Sequence, residues 1–312
     1  MSPREDEPLA RLLRDTEPPE PPGGRYQVLE RLGRGGMGSV WLARDTQLDR
    51  MVAIKVVNEA KDDRQMAARL RREAFCVAAL EHPGIVPVHE LGELPDGRTY
   101  YVMKRVEGKT LEEWRAGGHS LPERLRLMLR LAEIVAFAHE RGFVHRDLKP
   151  ENVMVGPFGE LYVMDWGLAL PGDLATRGGG DDAPGITRHG EVLGTPGFMA
   201  PEQRAGGGVA IDARADVYAA GALLEFLAGA LANRPLRAVI ARARAEDPDE
   251  RYPSIVALAE DVTRFLDREP IEAYRENPLE RSVRFLARHQ YVVWLIVGYL
   301  VLRALVVFFT GR

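Results

Sequence analysis

The stretch His145–Asn152, which reads HRDLKPEN, brings three side chains of complementary chemistry onto one short loop. Asp147 can accept the proton of a hydroxyl group, Lys149 can steady a phosphate, and Asn152 can offer an oxygen to Mg²⁺. Phosphoryl transfer requires these three functions, because a protein promotes it mainly by positioning the reactants and neutralising charge. The alternative interpretation is a charged surface turn that follows a helix.

A glycine-rich stretch lies upstream, where Gly33, Gly35 and Gly38 have the spacing G-x-G-x-x-G. Dinucleotide-binding folds use a similar string, but there a helix follows the glycines. Here Ser39–Ala43 is β-branched and aromatic, which predicts a strand. We therefore expect a strand–glycine–strand flap whose backbone N–H groups can approach phosphates closely. A plain glycine-rich hairpin is the alternative.

Lys55 ends the apolar, strand-like run Val52–Lys55, so its ammonium group should be buried and needs a partner. Downstream, Asp62–Leu80 reads as a helix. Glu73 lies on the apolar stripe of that helix, which comprises Leu70, Glu73, Val77 and Leu80. A carboxylate on an apolar stripe is explained if a cation faces it, so we predict a Lys55–Glu73 ion pair. The alternative is an exposed glutamate on an arginine-rich helix.

In their order along the chain, these motifs resemble those of the eukaryotic-like protein kinase family. The DLKPEN form of the loop resembles the Ser/Thr branch, and the chain is most similar to the membrane-attached bacterial group. The resemblance covers about residues 26–268 and implies an α+β, two-lobed protein kinase fold. The kinase domain is expected at 25–268, with a β-rich N-lobe at about 25–106 and a mostly helical C-lobe at about 107–268.

The resemblance also implies ATP, Mg²⁺ and protein substrates, and it assigns residues to each. Met103 is similar to the family's gatekeeper, while Lys104 and Val106 would offer backbone groups to the adenine at the hinge between the lobes. The implied ATP site comprises Leu32, Gly33, Arg34, Gly35, Gly36, Met37, Gly38, Val40, Ala53, Lys55, Met103, Lys104 and Val106. The implied metal ligands are Asn152 and Asp165. The implied catalytic set comprises Asp147, Lys149, Lys55, Glu73 and Thr195.

The tripeptide Asp165-Trp166-Gly167 departs from the family, which normally has Phe at its centre. Asp165 can still bind Mg²⁺ and Gly167 can still turn the chain. Trp166 is larger than Phe, and its indole N–H needs a hydrogen-bond partner if the ring is buried. The departure bears on inactive-state geometry more than on metal binding.

A long segment rich in Gly and Asp occupies residues 168–194, between Asp165 and Ala200-Pro201-Glu202. By resemblance it is the activation segment, and Thr195 resembles the Thr that supports the catalytic Asp in Ser/Thr kinases. Thr187 and Thr176 are candidate phosphorylation sites, with Arg146 as the expected phosphate receiver. The alternative is that these threonines are only polar loop residues.

Three further residues resemble braces of the C-lobe. Asp216 would hold the backbone of the stretch that resembles the family's catalytic loop, His145–Asn152, and Glu202 would pair with Arg251. The flanking helices are predicted at Pro122–Arg141, Asp212–Gly229, Pro235–Glu246 and Ile255–Asp267. Kinases of this family usually carry an extra loop, a helix and a Pro-rich segment before the turn at Arg251, whereas here Leu227–Pro235 joins two helices almost directly. We expect this short connection to weaken docking of protein substrates while sparing the chemistry.

Composition limits the class of protein. The chain has 312 residues, 46% of them apolar, and a formal net charge of −4, which offers no footprint for nucleic acid. The only cysteine, Cys76, rules out an intrachain disulfide and a Cys-rich zinc site. Its apolar helical surroundings predict a buried thiol, and a redox sensor is the alternative.

The two ends of the chain differ in character. Residues 1–24 are acidic and Pro-rich and predict a disordered leader. Asn277-Pro278-Leu279-Glu280 is typical of a helix start. The apolar stretch 291–309 is expected to be a transmembrane helix, and residues 269–290 the juxtamembrane segment before it. Arg303 is a flaw in that span. Arginines at 275, 281, 284 and 288 predict a single-pass protein of the cytoplasmic membrane with a cytoplasmic kinase domain. The alternative is an apolar helix that packs on the kinase or in a dimer.

The sequence therefore predicts a Ser/Thr protein kinase that activates itself by activation-loop phosphorylation, with a homodimer for trans-autophosphorylation among its expected partners. One rival is a pseudokinase that binds ATP without transferring phosphate. It is disfavoured because Lys55, Glu73, Asp147, Asn152 and Asp165 are all present. The other rival is a small-molecule kinase of related fold, against which the Ala200-Pro201-Glu202 segment and the Thr-bearing loop argue.

Overall fold

A five-stranded antiparallel sheet forms the N-terminal lobe of the computed structural model, which describes residues 18–35, 38–57, 64–166, 170–171, 197–205, 211–278, 280–282 and 290–310. The strands run in the order β1-β2-β3-β5-β4 and comprise β1 (Tyr26–Gly35), β2 (Gly38–Asp45), β3 (Arg50–Val57), β4 (Val88–Glu93) and β5 (Thr99–Lys104). β1 and β2 meet at the pair Gly35 and Gly38. A dinucleotide-binding loop requires a helix directly after its glycines. Because the strand β2 occupies that place, a dinucleotide-binding fold is excluded.

Helix α1 (Arg64–Ala79) packs on one face of this sheet. Its predicted apolar stripe is buried, and Leu70 belongs to one apolar cluster with Val57 and Tyr101 of the strands. Cys76 is buried on the same helix, and burial raises the pKa of its thiol to about 11, as expected of a structural cysteine. Apolar contacts thus hold the strand of Lys55 beside the helix of Glu73. The predicted start of this helix at Asp62 lies outside the described residues.

The C-terminal lobe is mainly helical and agrees closely with the predicted elements. Its helices are α2 (Leu111–Arg115), α3 (Leu121–Glu140), α4 (Pro201–Ala205), α5 (Arg214–Ala228), α6 (Arg234–Ala243) and α7 (Ile255–Leu266). Short strands form two small sheets, one of β6 (Lys109–Thr110), β8 (Val153–Val155) and β9 (Leu161–Val163), the other of β7 (Phe143–Val144) and β10 (Leu170–Pro171). The lobe's core lies where α3, α5 and α7 meet, and buried leucines on all three helices fill it.

The connection between α5 and α6 is as short as the sequence predicts. A single 3-10 turn, Gly229–Leu231, separates α5 from Asn233, whose side chain caps α6 by accepting the N–H of Leu236 at 3.2 Å. Gly229 has a φ of 51°, a left-handed conformation that suits glycine. The two helices touch, because a Cβ at Gly221 would collide with the side chain of Ala243.

The chain after α7 folds back onto the C-terminal lobe. Asp261 is buried, and its carboxylate accepts the hydroxyl of Tyr252 at 2.8 Å and the N–H groups of Glu272 and Ala273 at 2.9 and 3.0 Å. Burial opposes ionisation of Asp261, but these donors outweigh it and lower the pKa of the carboxyl. Ile271 is buried in the core beneath this segment. The ordered lobe therefore continues past α7 into the chain that follows.

A second helix start and a long helix complete the C-terminal part. Asn277 and Glu280 form the predicted cap, since each side chain accepts the other's backbone N–H, at 2.8 and 3.1 Å. Helix α8 (Gln290–Thr310) exposes large apolar side chains along its length and contains Arg303. No helix in the part of the chain that the structure describes is long and apolar enough to cross a membrane. The transmembrane helix predicted at 291–309 is therefore not confirmed.

At the N-terminal end, residues 1–17 lie outside the described part, so most of the predicted leader has no structural counterpart here. Pro19 and Pro21 are buried just before β1. Arg25 then fixes the start of the first strand, because its guanidinium donates to the carboxylate of Asp45 at 2.7 and 2.9 Å.

Candidate active site

Lys55 lies at the centre of a buried charge cluster that joins the two lobes. Its Nζ donates to both carboxylate oxygens of Glu73, at 2.8 and 3.0 Å, and to Oδ1 of Asp165 at 2.5 Å. Lys55 and Glu73 are only 6% and 1% exposed. The hydroxyl of Tyr101, opposite Lys55 on β5, also donates to Glu73 at 2.8 Å. The structure thus brings together the ion pair that the sequence predicts, so the alternative of an exposed glutamate is wrong.

The charges in this cluster stabilise one another. Burial disfavours the ammonium of Lys55, but Tyr101, Glu73 and Asp165 outweigh it and raise its pKa well above the ordinary value. For Asp165, burial favours the neutral acid, yet Lys55 holds the pKa of that carboxyl below its usual range. Both groups are therefore ionised at neutral pH. Lys55 is a fixed cation with an ionised carboxylate beside it.

The catalytic loop holds its three chemical side chains within hydrogen-bond distance of each other. Oδ2 of Asp147 accepts the Nζ of Lys149 at 2.8 Å and the Nδ2 of Asn152 at 3.0 Å. Nδ2 of Asn152 also donates to the carbonyl of Asp147 at 2.8 Å, which closes the loop on itself. Oδ1 of Asp147 and Oδ1 of Asn152 accept no hydrogen bond from the described residues, so both oxygens remain available to a substrate or a metal.

Asp216, at the start of α5, fixes the backbone that carries this loop. Its buried carboxylate accepts the N–H groups of His145 and Arg146 at 2.7 and 2.8 Å and lies 2.8 Å from Nε2 of His139. Arg146 has a φ of 68°, which is strained for a residue with a side chain. Burial opposes the charge of Asp216, but His139 and the backbone donors lower the pKa of its carboxyl. The predicted brace is therefore present in the geometry.

Trp166 replaces the usual Phe without leaving its indole unsatisfied. The ring is 1% exposed, and its N–H donates to the carbonyl of Val163 at 3.1 Å. It contacts the imidazole of His145 with the ring centres 4.6 Å apart. Asp165 directly before it has a φ of 59°, a second strained position. Trp166 thus packs the base of the catalytic loop and fixes the point from which Asp165 projects.

Arg251 and Glu202 form a second buried ion pair, deep in the C-terminal lobe. Two parallel bonds of 2.7 Å join the guanidinium to the two carboxylate oxygens. The remaining N–H groups of Arg251 donate to the carbonyls of Ala245, Arg214 and Glu246. This pair anchors α4, which begins directly after Ala200, to the turn before α7.

Comparison with known proteins agrees with this geometry. The model of the protein kinase domain family matches residues 26–256. The chain belongs to the protein kinase family. Its relatives include a probable serine/threonine-protein kinase of Streptomyces coelicolor, 36% identical over 82% of this chain, and the serine/threonine-protein kinase PrkC of Bacillus subtilis, 35% identical over 81%. The serine/threonine-protein kinase PknB of Mycobacterium tuberculosis is also 35% identical, over 80%.

The kinase chain spans about two fifths of the length of these curated relatives, since the match covers 42%, 42% and 44% of them. Among solved structures, the PknI kinase domain of Mycobacterium tuberculosis is 27% identical, with a TM-score of 0.57. That match covers 77% of this chain and 95% of the solved one. The likeness is therefore to the kinase domain, and it agrees with the two-lobed fold described above.

Within the kinase fold, four predicted ATP residues of β2, β3 and β5 share one face of the sheet. Register places Val40 opposite Lys55 and Ala53 opposite Met103, so these four lie on three adjacent strands. Gly33 and Leu32 belong to β1, where the side chain of Leu32 is about half exposed, and Val106 follows β5. Arg34 and Gly35 form the end of the flap. The side chain of Lys104 extends towards β9, where its Nζ donates to the hydroxyl of Tyr162 at 2.9 Å.

Gly38 is fixed by a close approach that the G-x-G-x-x-G string alone does not reveal. A Cβ at this position would collide with the carbonyl oxygen of Val56 on β3. The last glycine of the string therefore serves sheet packing, whereas a Cβ at Gly33 would meet no neighbour among the described residues. Gly36, Met37, Gly167, Thr176, Thr187 and Thr195 lie outside the described residues, so the structure is silent on those predictions.

Two residues of the kinase site were missed from the sequence. The contact of Tyr101 with Glu73 could not be predicted, because it depends on the register of β5 against β3, which no local sequence pattern encodes. Gln203 links two motifs, since its Nε2 donates to the carbonyl of Arg146 at 2.8 Å and its Oε1 accepts the N–H of Ala200 at 3.1 Å. Its place directly after Glu202 was the only signal available.

Proposed function

We propose that this protein transfers the γ-phosphoryl group of ATP to Ser or Thr hydroxyls of proteins. The observation that carries the proposal is the proximity of the Lys55–Glu73–Asp165 cluster to the loop of Asp147 and Asn152, since the N–H of Met164, directly before Asp165, donates to the carbonyl of Asn152 at 2.8 Å. The names of the relatives support Ser and Thr as acceptors. The rest of the mechanism follows from which atoms remain free.

The free oxygen of Asp147 suits a general base. Lys149 and Asn152 both bond to Oδ2, which orients the carboxylate and leaves Oδ1 to accept the proton of an incoming hydroxyl. Lys149 lies close enough to this carboxylate to contact the phosphoryl group as it moves. Lys55, held by Glu73, would neutralise the phosphates of ATP beneath the β1–β2 flap.

The residues present also fit Mg²⁺. Asn152 offers a free amide oxygen, and Asp165 offers a carboxylate that is 48% exposed on its side chain. Mg²⁺ prefers few protein oxygens and completes its shell with water and substrate phosphates. When bound, Mg²⁺ would neutralise phosphate charge between Asn152 and Asp165.

Replacing the proposed base tests the function. Asp147→Asn keeps the shape and the bonds to Lys149 and Asn152 but cannot accept a proton, so phosphotransfer should fall by about 10²- to 10⁴-fold. The measurement is transfer of radiolabelled phosphate to the chain itself and to protein substrates. Asp267→Asn, an exposed carboxylate at the end of α7, is the matched control. Transfer no higher than background by both wild type and Asp147→Asn would support a pseudokinase, and equal transfer above background would reject Asp147 as the base. Transfer only to small acceptors would support the small-molecule kinase.

We further propose that phosphorylation of Thr187 activates the kinase by pairing with Arg146. The support comes from Arg146, whose guanidinium donates to the carbonyl of Ile211 at 3.2 Å while its buried Nε has no partner among the described residues. A phosphate would satisfy such a group. Mass spectrometry after incubation with Mg-ATP should find phosphate on Thr187, and Thr187→Ala should lower turnover. Wild-type turnover by Thr187→Ala would reject this site, and phosphate on Thr176 alone would move it there.

Attachment of the kinase to a membrane through α8 is proposed on its apolar sequence and exposed apolar side chains. The cationic side chain of Arg303 would then have to reach the lipid headgroups. Carbonate extraction of membranes containing the full chain is the test, combined with protease digestion from each side. Release of the chain into the soluble fraction would reject attachment, and digestion of the kinase domain from outside would reject a cytoplasmic domain.

The short connection between α5 and α6 leads to a proposal about substrates. The two helices pack directly, and the core beneath them is complete, so chemistry should not depend on the missing segment. Docking of unrelated peptides should be weak, since the surface that the segment would provide is absent between Ala228 and Arg234. We expect efficient autophosphorylation and poor activity on generic peptides, with a gain when enzyme and substrate share one membrane. The proposal would be rejected if generic peptides were phosphorylated with ordinary efficiency and if placing enzyme and substrate on the same vesicles gave no gain in rate.

A further inference from the structure

A cavity of about 770 Å³ opens on the surface behind the hinge. It is bounded by the end of α1, the segment that leads to β4, the middle of α3 and the strand β9. Its walls include the apolar side chains of Val77, Ile134 and Leu161. Asp147, Asn152 and Asp165 do not line it, so the cavity is separate from the site described above.

An exposed aromatic side chain stands next to this cavity. Phe158 occupies the turn between β8 and β9 and is 91% exposed, and Glu160, two residues on, already lines the cavity. The turn is well ordered by its own bonds. Gly156 N–H donates to the carbonyl of Glu160 at 2.8 Å, and the N–H of Phe158 donates to the Glu160 carboxylate at 3.0 Å. The guanidinium of Arg130, on α3, donates to the carbonyl of Gly159.

A rigid turn that presents one phenyl ring is pre-organised for insertion into a partner. Little conformational entropy is lost on binding, because the backbone is already fixed. Aromatic side chains that enter an apolar pocket are the residues that most often dominate protein–protein binding. Phe158 and the cavity are thus the two halves of such a contact, and they lie side by side on one surface.

The charges around the cavity are of both signs. Carboxylates are contributed by Glu81, Glu133 and Glu160, and cations by Lys104 and Arg130. Desolvation lowers the pKa of His82, so this rim residue is neutral at pH 7. A rim of one sign would repel an identical rim, whereas a mixed rim can pair with its own copy after a two-fold rotation.

We propose that this face binds a second copy of the chain, with each Phe158 seated in the cavity of the other copy. A two-fold contact requires the same surface patch on both partners, and this patch carries both the projecting Phe158 and the cavity that would receive it. A ring and its turn bury little surface, so the dimer should be transient. Val77 and Ala78 of the cavity wall belong to α1, the helix that carries Glu73, so the partner would rest against the helix that positions Lys55.

The test measures self-association of the full chain in detergent micelles, by energy transfer between copies labelled at the N-terminus with donor or acceptor. Phe158→Ser removes the projection, and Ala78→Arg fills the cavity from an exposed position of α1. Each variant should weaken association at least about tenfold. Leu48→Ser, at another exposed turn, and Ala79→Arg, the next residue of α1, are the matched controls and should stay within about twofold of wild type.

A mixture of the two variants gives the decisive result. The Phe158→Ser copy keeps an open cavity and the Ala78→Arg copy keeps its Phe158, so the mixed pair restores one of two contacts and should associate more tightly than either variant alone. Association of all variants at the wild-type level would overturn the proposal, since α8 or another surface would then be responsible. Loss in both variants without recovery in the mixture would also overturn it. Thermal unfolding of each variant checks that the fold is unchanged.

Discussion

Two buried ion pairs of this kinase, Glu202–Arg251 and Lys55–Glu73, differ in how completely their hydrogen-bonding groups are occupied. In the pair Glu202–Arg251, every N–H group of the guanidinium has an acceptor, and both carboxylate oxygens are occupied by parallel 2.7 Å bonds. The arginine side chain is fully buried. Such a pair can bind nothing further, and its role is to hold α4 in place.

The pair Lys55–Glu73 is buried as deeply but is not closed. Lys55 divides its donors between Glu73 and Asp165, and the Asp165 side chain is 48% exposed. One end of the cluster is therefore open to solvent, where a phosphate or a metal can compete for it. The comparison teaches that completeness of hydrogen bonding, more than burial, separates a pair that only holds the fold from one that can still bind a ligand.

The largest effect is expected from breaking the open pair. Lys55→Met should reduce phosphotransfer by about 10²- to 10³-fold, because the fixed cation over the phosphates is lost. Glu73 keeps only the bond from Tyr101 and becomes a buried, poorly paired carboxylate, so some stability is lost as well. Rates must therefore be measured per folded molecule, with folding followed by circular dichroism. Lys109→Met, an exposed lysine on β6, should leave both quantities unchanged.

Breaking the closed pair should give the reverse result. Arg251→Met leaves Glu202 and three carbonyls without a donor, which costs about 3–5 kcal/mol of unfolding free energy. The turnover of the molecules that remain folded should stay near wild type. Urea titration gives the stability, and Arg237→Met, exposed on α6, should change it by less than about 0.5 kcal/mol. A loss of turnover with unchanged stability would contradict the structural role.

Trp166 tests whether packing next to the open pair affects the chemistry. Trp166→Phe removes the N–H that bonds to Val163 and part of the buried volume, so stability should fall by about 1–3 kcal/mol. Asp165 keeps its contact with Lys55, and turnover should change by less than about tenfold. A much larger fall in turnover, with a raised Mg²⁺ requirement, would show that the indole positions Asp165 for the metal.

The smallest expected effect concerns acid stability. Lys55 lowers the pKa of Asp165, so this carboxyl stabilises the folded state above its unfolded pKa of about 3.9, and the contribution is lost as pH falls through the lower folded pKa. Lys55→Met removes that shift. The stability difference between wild type and Lys55→Met should therefore narrow when urea titrations move from pH 7 to below about pH 4. A constant difference would mean that Lys55 does not act on Asp165.

Much of this organisation could be predicted from local sequence, and the reason is physical. The Lys55–Glu73 pair follows from burial, since a cation on an apolar strand and a carboxylate on an apolar stripe each need the other. The short connection before α6 could be predicted because the sequence has too few residues there for the extra loop and helix that the family usually carries. The strand after the glycines follows from β-branched residues, and it excludes a dinucleotide fold.

Contacts that depend on register or on distant turns could not be predicted in this way. Tyr101 meets Glu73 only because β3 and β5 pair at Lys55, and Gln203 meets Arg146 only through the packing of α4. The apolar run 291–309 is the clearest limit of local pattern. It predicts a long helix, which α8 confirms, but the membrane span assigned to it is not confirmed.

The carboxylate of Asp261 has a mechanical consequence. Chain that leaves the lobe towards α8 must pass Glu272 and Ala273, whose N–H groups are bonded to it. Tension applied at the C-terminal helix would therefore reach Asp261, in the middle of α7, through these two bonds. Because α7 and Tyr252 belong to the core of the C-terminal lobe, the load would pass into that core rather than directly into the catalytic loop.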